Sequence, residues 1–437
     1  MKLPSYARLI GLSVALLPFT SAAQNAALDA RIAKLAQAEE PKVITWRRDF
    51  HHHPELGNAE TRRAGIVAAH LKSLGLEVQT GVGHTGVVGL LRGGRPGPVV
   101  ALRADMDVLP IIENPGLAFA STVKTTYLGQ TVGVMHACGH DSHTAMLMGA
   151  AEVLSQVKKD LPGTVKFIFQ PAEEGSLPGE EGGAQLMVKE GVLENPKVAA
   201  IFGVHIDAQT EVGQLTYRPG GTMASEDEFT IKVHGKGAHG ASPWNSVDPV
   251  VTAALIVVGL QTIVSRQINL TQDAAVVTVA TIRGGVRSNI IPADVVLSGT
   301  IRALNRKTQE QLLTAIRRTA KGIAESAGAT AEVRIDSSTP VTFNDLPLTA
   351  RMLPTLQAVA GTANVTEIKA QTGTEDFSYY QEKVPGVYLF VGGMRKGIDP
   401  ATTADHHTAG FVLDESGFTL GVKTLATLAA DYLAMKK

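Results

Sequence analysis

The sequence predicts an α/β protein with two parts: a mixed sheet flanked by helices, and an inserted ferredoxin-like unit. Three observations predict it. Continuous apolar, β-rich runs alternate with segments whose apolar residues recur every three or four positions; one stretch breaks that alternation with a β-α-β-β-α-β order; and the first kind of strand resumes after it.

The elements follow in chain order. Residues 59–76 show helical spacing and stop at Gly75. Residues 98–106 (PVVALRADM), 164–169 (TVKFIF) and 198–205 (VAAIFGVH) have the unbroken apolar character of strands buried on both faces, and 141–161 between the first two reads as a helix. The inserted unit then reads strand 229–233, helix 248–264, strand 274–282, strand 294–303, helix 308–327 and strand 330–335. Residues 386–391 (GVYLFV) return to the first pattern. The domain spans are therefore 24–220 and 337–437 for the sheet domain and 221–336 for the insert.

Composition narrows the class. The chain has 437 residues with 40 Lys+Arg against 41 Asp+Glu, a net charge of −1, and is 44% hydrophobic. That excludes a disordered chain and offers no global attraction to nucleic acid. Residues 1–23 read as a signal peptide: Lys2 and Arg8 are followed by a short apolar run over 9–19 and by Ser21, Ala22 and Ala23 at a cleavage site. The run is shorter than the roughly 20 residues of a membrane span. Beyond it no stretch is expected to span a bilayer, so the mature protein is expected to be exported, periplasmic or secreted, without stable membrane insertion. Cys138 is the only cysteine and has no partner for an intrachain disulfide.

Polar residues gather at the ends of the predicted sheet strands, where ligands of open α/β sheets bind. Asp105 and Asp107 close one strand, Glu173 and Glu174 follow the next, and His205 sits at the tip of the third. Between the first two lies MHACGHD at 135–141, leading into a helix. Thiolate, imidazole and carboxylate suit borderline divalent cations, and Cys138 and His140 flank a glycine turn. A cation beside a helix N-terminus would hold Cys138 as thiolate. Of the adjacent glutamates, one can ligate while the other acts as a general base.

The motifs RADMD (103–107), MHACGHDSHTAML (135–147), QPAEEG (170–175), GVH (203–205), GKGAHGASPWNSVDPV (235–250), SNIIPA (288–293), GTEDF (373–377) and HHTAGF (406–411) resemble, in order, the metallo-amidohydrolases and peptidases of the aminoacylase, hippurate hydrolase and auxin-conjugate hydrolase type. The resemblance implies a zinc-peptidase-like catalytic domain with an inserted satellite that mediates dimerisation. It implies a centre of two divalent ions, zinc or manganese, held by Cys138, His140, Glu174, His205 and His407, with Glu173 as general base toward a bridging water. His407, four residues before Phe411, fits the pattern better than His406. His239 resembles a histidine that reaches substrate across a subunit interface, and Asn289, with Arg302 as a weaker candidate, a residue that holds the substrate carboxylate. Asp105 and Asp107 are expected to orient ligands from behind. Thr408, Ala409 and Gly410 depart from relatives that carry a proline there, and Trp244 departs from a polar position, putting an aromatic near the expected cleft.

The activity so implied is hydrolysis of N-acyl or N-aroyl amino acids, hippurate-like conjugates and ochratoxin-type amides among the candidates, by a homodimer or higher homo-oligomer. The alternative is a metallo-dipeptidase or carboxypeptidase, told apart by its preference for free-amine dipeptides. A serine hydrolase is disfavoured because no Gly-x-Ser-x-Gly turn occurs.

Overall fold

A computed structural model describes residues 19–435 apart from Pro115, with side chains from residue 26 onward. The expected leader lies outside the described residues except for the backbone of its last five positions.

The strands that matter for the site are β1 Glu77–Val82, β2 Gly86–Arg92, β3 Arg95–Asp105, β4 Pro162–Gln170, β5 Ala200–Glu211, β6 Leu215–Tyr217, β7 Glu226–His234, β8 Ala275–Gly284, β9 Asp294–Ala303, β10 Thr330–Thr339, β11 Val365–Glu367 and β12 Gly386–Met394. The longer helices are α1 Phe19–His52, α2 Thr61–Ser73, α3 His140–Val157, α4 Pro249–Gln267, α5 Arg306–Ser326, α6 Leu346–Ala360 and α7 Phe418–Ala434.

The large sheet runs β1-β2-β4-β3-β5-β12-β6-β11. Its centre is parallel, β4 with β3, β3 with β5 and β5 with β12, while β1, β2 and the β12/β6 pair are antiparallel, so the sheet is mixed as expected. Strand periodicity explains the unbroken apolar runs. On β4, Val165, Phe167 and Phe169 enter one core with α1, α3 and α7, while Ile168 enters the opposite core with Met187 and Tyr380. Each such side chain stabilises the fold by roughly 1.5–3 kcal/mol.

Helix α1 adds an element that the sequence reading did not assign. Ile32, Ala36, Val43 and Phe50, at most 1% exposed, fall on one face at helical spacing and seat it on that first core. Charged residues between them, and Pro41 within the helix, mask the pattern.

The insert forms its own antiparallel sheet, β8-β9-β7-β10, with α4 and α5 on one face and a separate core including Phe229, Ile256, Leu297 and Ile316. In the insert's own strand order this is 2-3-1-4, the arrangement of a ferredoxin-like unit. One expectation needs correction. Helix α4 is long and apolar enough, by length and composition, to cross a membrane, contrary to the reading that nothing beyond the leader is. Its Ala253, Ile256, Leu260 and Ile263 pack on the insert's sheet, while Val251, Leu255 and Val258 face outward.

The position of His205 is also corrected. It lies within β5 rather than at its tip, because β5 continues beside β12 to Glu211. The rungs with β3 end at Arg103↔Gly203, two residues earlier, while β3 stays paired with β4 as far as Asp105↔Gln170, so at His205 strand β5 has parted from β3 but keeps β12.

Candidate active site

Three turns and one strand bring the expected ligands together. Gly139, at φ +104°, links Cys138 to His140, the first residue of α3; a Cβ there would lie 2.3 Å from Ile206 Cγ2, so only glycine lets this turn press on β5. After β4, Pro171 and Ala172 lead to Glu173 and Glu174. The third turn places His407 at φ +61°, its amide donating to Ala137 O at 2.8 Å. Ligating atoms of Cys138, His140 and His205 lie within 4.8 Å of one another, as do those of Cys138, Glu174 and His407, and those of His140, Glu173 and Glu174. All five expected metal-ligating residues and the expected base therefore converge.

The hydrogen bonds behind these residues fix which atoms face inward. His140 Nδ1 lies 3.1 Å from both Asp107 O and Asp107 Oδ1, and His205 Nδ1 lies 2.6 Å from Ile206 O, so each ring donates backward and turns Nε2 to the centre. Cys138 Sγ is 3.4 Å from His205 Nε2, and Glu174 Oε1 is 3.0 Å from His407 Nε2. His140 Nε2 is buried yet completes no hydrogen bond, and Glu174 Oε1 meets His407 Nε2 without the alignment of one. Orphaned lone pairs in a sulfur, imidazole and carboxylate set fit divalent cations of the zinc or manganese kind.

Electrostatics agree with that fit. Burial, followed by Glu174, Glu173 and Asp105, pushes the Cys138 thiol well up, so a thiolate here needs a cation beside it. For His140, burial works downward, but Asp105 and the bond to Asp107 outweigh it and carry the ring up to about 10. Burial, then Glu375, Glu174 and Asp376, pushes the Glu173 carboxyl well above the ordinary range.

Asp105 and Asp107 sit where they were expected. Asp107 also accepts from Glu174 N at 2.8 Å, tying two turns together. Asp105 accepts from His143 Nδ1 at 2.6 Å, and His143 Nε2 takes the amide of Ile206 at 2.8 Å. Both nitrogens of His143 are thus engaged, which leaves it a brace for β5.

Sequence reasoning passed over the acids of GTEDF. Glu375 and Asp376 lie with Glu173 in one cluster, both paired with the buried Arg103 at 2.9 and 2.8 Å; Arg103 also reaches Asp105 Oδ2 at 2.7 Å and Gln170 Oε1 at 2.8 Å. Burial lifts Asp376 up to about 7 against the pull of Arg103. The signal was available in RADMD, where an arginine inside a fully apolar strand requires buried acids opposite it. Replacing Arg103 by alanine would leave three carboxylates without their cation; urea unfolding is expected to show a loss of about 3–5 kcal/mol.

The substrate-contact expectations fare differently. A cleft of about 1080 Å³ opens over Cys138, Glu173, Glu174 and His407 and is lined also by Arg302 from β9. Arg302 is held there by Glu226, 2.6 Å away. His239 and Asn289 lie beside each other, Gly240 N donating to Asn289 O at 2.9 Å, but outside the cleft lining of their own chain, as does Trp244, which is 78% exposed. The insert's sheet reaches the cleft through Glu226 and Arg302, whereas the β-bridged corner of His239 and Ile290 does not, so Asn289 and Trp244 are not cleft residues within one chain. His406, which the reading set aside, does line the cleft; its Nε2 accepts from Ala208 N at 3.2 Å and its ring is 5.3 Å from that of His205.

Comparison with known proteins places this geometry. Residues 101–431 match peptidase family M20/M25/M40. Thermostable carboxypeptidase 1 of Saccharolobus solfataricus is 40% identical over 395 residues, covering 89% of this chain and 95% of the relative. N-acetylcysteine deacetylase of Bacillus subtilis is 38% identical over 391 residues, covering 89% and 96%. The crystal structure of the Bacillus subtilis YXEP protein, described as a dinuclear metal-binding peptidase of the M20 family, superposes with a TM-score of 0.75 at 34% identity, covering 91% of this chain and 99% of that one.

Proposed function

The chain belongs to peptidase family M20/M25/M40 and is a metal-dependent amide hydrolase, and from that premise we propose that it cleaves the amide bond of N-acyl amino acids, N-aroyl ones included, releasing a carboxylic acid and an amino acid. The observation that carries the reading is the pairing of a saturated ligand cradle with one glutamate left over. Glu174 faces Cys138 and His407, whereas Glu173 faces Glu375 and Asp376, with Oε2 3.8 Å from His140 Nε2. A protein that only held ions would have no use for that second carboxylate.

Cys138, His140, Glu174, His205 and His407 would hold two divalent cations, zinc or manganese, which when bound supply Lewis acidity toward water and carbonyl oxygen. The protein's own part is proton movement and orientation. Glu173 takes a proton at Oε2 from the attacking water, and its burial, followed by the acids ranged behind it, favours keeping that proton until the leaving nitrogen receives it. Asp107 keeps His140 and the Glu174 turn in register. Arg302, the one Lys or Arg side chain that lines the cleft among the described residues, supports docking of a substrate carboxylate.

The size of the cleft and its Phe390, Tyr379 and Met223 lining support bulky acyl groups, so hippurate-like conjugates and ochratoxin-type amides are proposed substrates. The carboxypeptidase relative favours a second reading, cleavage of peptides at a free C-terminal residue. Purified enzyme with measured metal content, assayed on a panel of N-acyl amino acids, N-aroyl amino acids and free-amine dipeptides, decides between them. N-blocked substrates are expected to be cut at least about tenfold faster in kcat/KM, a difference of some 1.4 kcal/mol in transition-state binding. A preference for free-amine dipeptides would select the dipeptidase reading.

We also propose a homodimer or higher homo-oligomer that brings His239 and Asn289 of one copy toward the cleft of another. The outward Val251, Leu255 and Val258 of α4 and the open edge of β8 support it. Export to the periplasm or medium is proposed on the composition of residues 1–23 alone.

A further inference from the structure

Beneath the turn that carries Glu173 and Glu174 lies a segment that the proposed chemistry leaves unused, residues 54–60 (PELGNAE) between α1 and α2. Neighbouring residues in a regular strand would point these two carboxylates to opposite faces of the sheet; here both reach the centre but serve different partners. The backbone solution is Ala172, immediately before them, at φ +51°. An alanine in the left-handed region costs on the order of 1–3 kcal/mol and persists only where its surroundings hold it.

Two contacts hold it. The Ala172 amide donates to Glu60 Oε1 at 2.9 Å, and the other oxygen of Glu60, a fully buried side chain, takes the hydroxyl of Thr85. Glu60 stands just before α2 but makes no side-chain cap to it; that duty falls to Glu55, which accepts from the amides of Arg62 and Arg63 at 2.8 Å each. The carboxylate of Glu60 is therefore spent on the Ala172 turn and not on its own helix. Gly57 completes the seat: a Cβ there would lie 2.5 Å from Gly175 O and 3.1 Å from Ala172 Cα, so the segment touches the turn just before Glu173 and just after Glu174. Asn58 Nδ2 extends the contact to Glu181 O at 3.1 Å, further along the same loop.

We propose that Glu60, with Gly57 beneath the same turn, is a positioning residue that fixes Ala172 in its left-handed conformation and thereby divides labour between Glu173 and Glu174. The roles divided are those of the amide-hydrolase reading, on which this inference rests; the division itself is a property of the backbone.

The test compares Glu60→Ala, Glu60→Gln and Thr85→Val with wild type, using Mn²⁺ titrated into chelator-stripped protein by calorimetry, and kcat and KM at saturating Mn²⁺ on the best N-acyl amino acid of the panel. Glu60→Ala is expected to weaken Mn²⁺ binding about 10–100-fold, through Glu174, and to lower kcat by a similar factor, through Glu173, with KM little changed. Glu60→Gln is expected to recover most of both, since its carbonyl can still accept from Ala172 and its amide can donate to Thr85. Thr85→Val, which leaves the carboxylate in place, is expected to move both in the same direction by about 3–10-fold, the net worth of one ordinary hydrogen bond. If Glu60→Ala folds and matches wild type in both readouts, or if glutamine fails as badly as alanine, the proposal is overturned; if Glu60→Ala does not fold, an unchanged Thr85→Val overturns it. Absence of turnover by wild type across the panel would refute the amide-hydrolase reading instead, and the Mn²⁺ affinities would still decide the role of Glu60.

Discussion

Replacing Glu173 by glutamine is expected to lower kcat about 10³-fold while two cations per chain remain bound, because the substitution keeps shape and hydrogen bonding but cannot carry a proton. Metal content by elemental analysis and kcat on the same sample check both halves. The separation rests on geometry: Glu174, not Glu173, shares the cluster with Cys138 and His407, so cation binding survives where proton transfer does not. Turnover within about tenfold of wild type would remove Glu173 from the base role. The same variant tests the shared-cleft arrangement. Mixed with inactive His239→Ala chains, it is expected to regain part of the activity, since a mixed dimer holds one cleft with an intact Glu173 and an intact His239 from the other copy. No recovery from a demonstrated mixed oligomer would confine each cleft to its own chain.

Removing a ligand should act on the cations first and on the reaction only through them. Cys138→Ala and His140→Ala are each expected to cost at least about 100-fold in cation affinity, more than loss of an outer hydrogen-bonding partner commonly costs. A chelator should silence the wild type, and added Zn²⁺ or Mn²⁺ should restore it. The pH dependence has a definite sign. With His140 carried up to about 10 and the Cys138 thiol pushed up as well, both hold protons at neutral pH until a cation displaces them. Cation binding should therefore release protons and tighten as pH rises, which calorimetry in buffers of different ionisation enthalpy reads directly. Proton-neutral binding would mean that these two groups are not ligands.

Much of this centre could be read without coordinates, for a physical reason. The proposed ligand residues are polar groups that follow or lie in apolar runs, and that contrast survives in one dimension, as at Cys138, His140, Glu174 and His205. The insert was legible because its strands alternate and α5 is amphipathic, with β9 beginning and ending at Asp294 and Ala303 as the alternation implies. What could not be read depends on distance in space. Nothing near His239 or Asn289 says that the corner they occupy lies away from the cleft, because that follows from how β7 and β10 carry the insert outward. Arg103, Glu375 and Asp376 are 272 or more positions apart in their pairing, as in the Arg103–Asp376 bond separated by 273 residues, and such partners leave no periodic trace. Helix α1 was missed because its buried stripe is narrow and its charged majority reads as a solvated surface.

His205 differs from the other proposed ligands in what anchors it. The others stand on or beside the bends around Gly139, Ala172 and His407, whereas His205 is paired with β12 on one side and stands just past the last rung to β3 on the other. Exchange of one ion for another of different radius is then expected to be taken up at the bends around Gly139, Ala172 and His407, with the imidazole of His205 as the reference point. Substitutions that stiffen those bends are therefore expected to narrow the range of ions accepted without touching a proposed ligand.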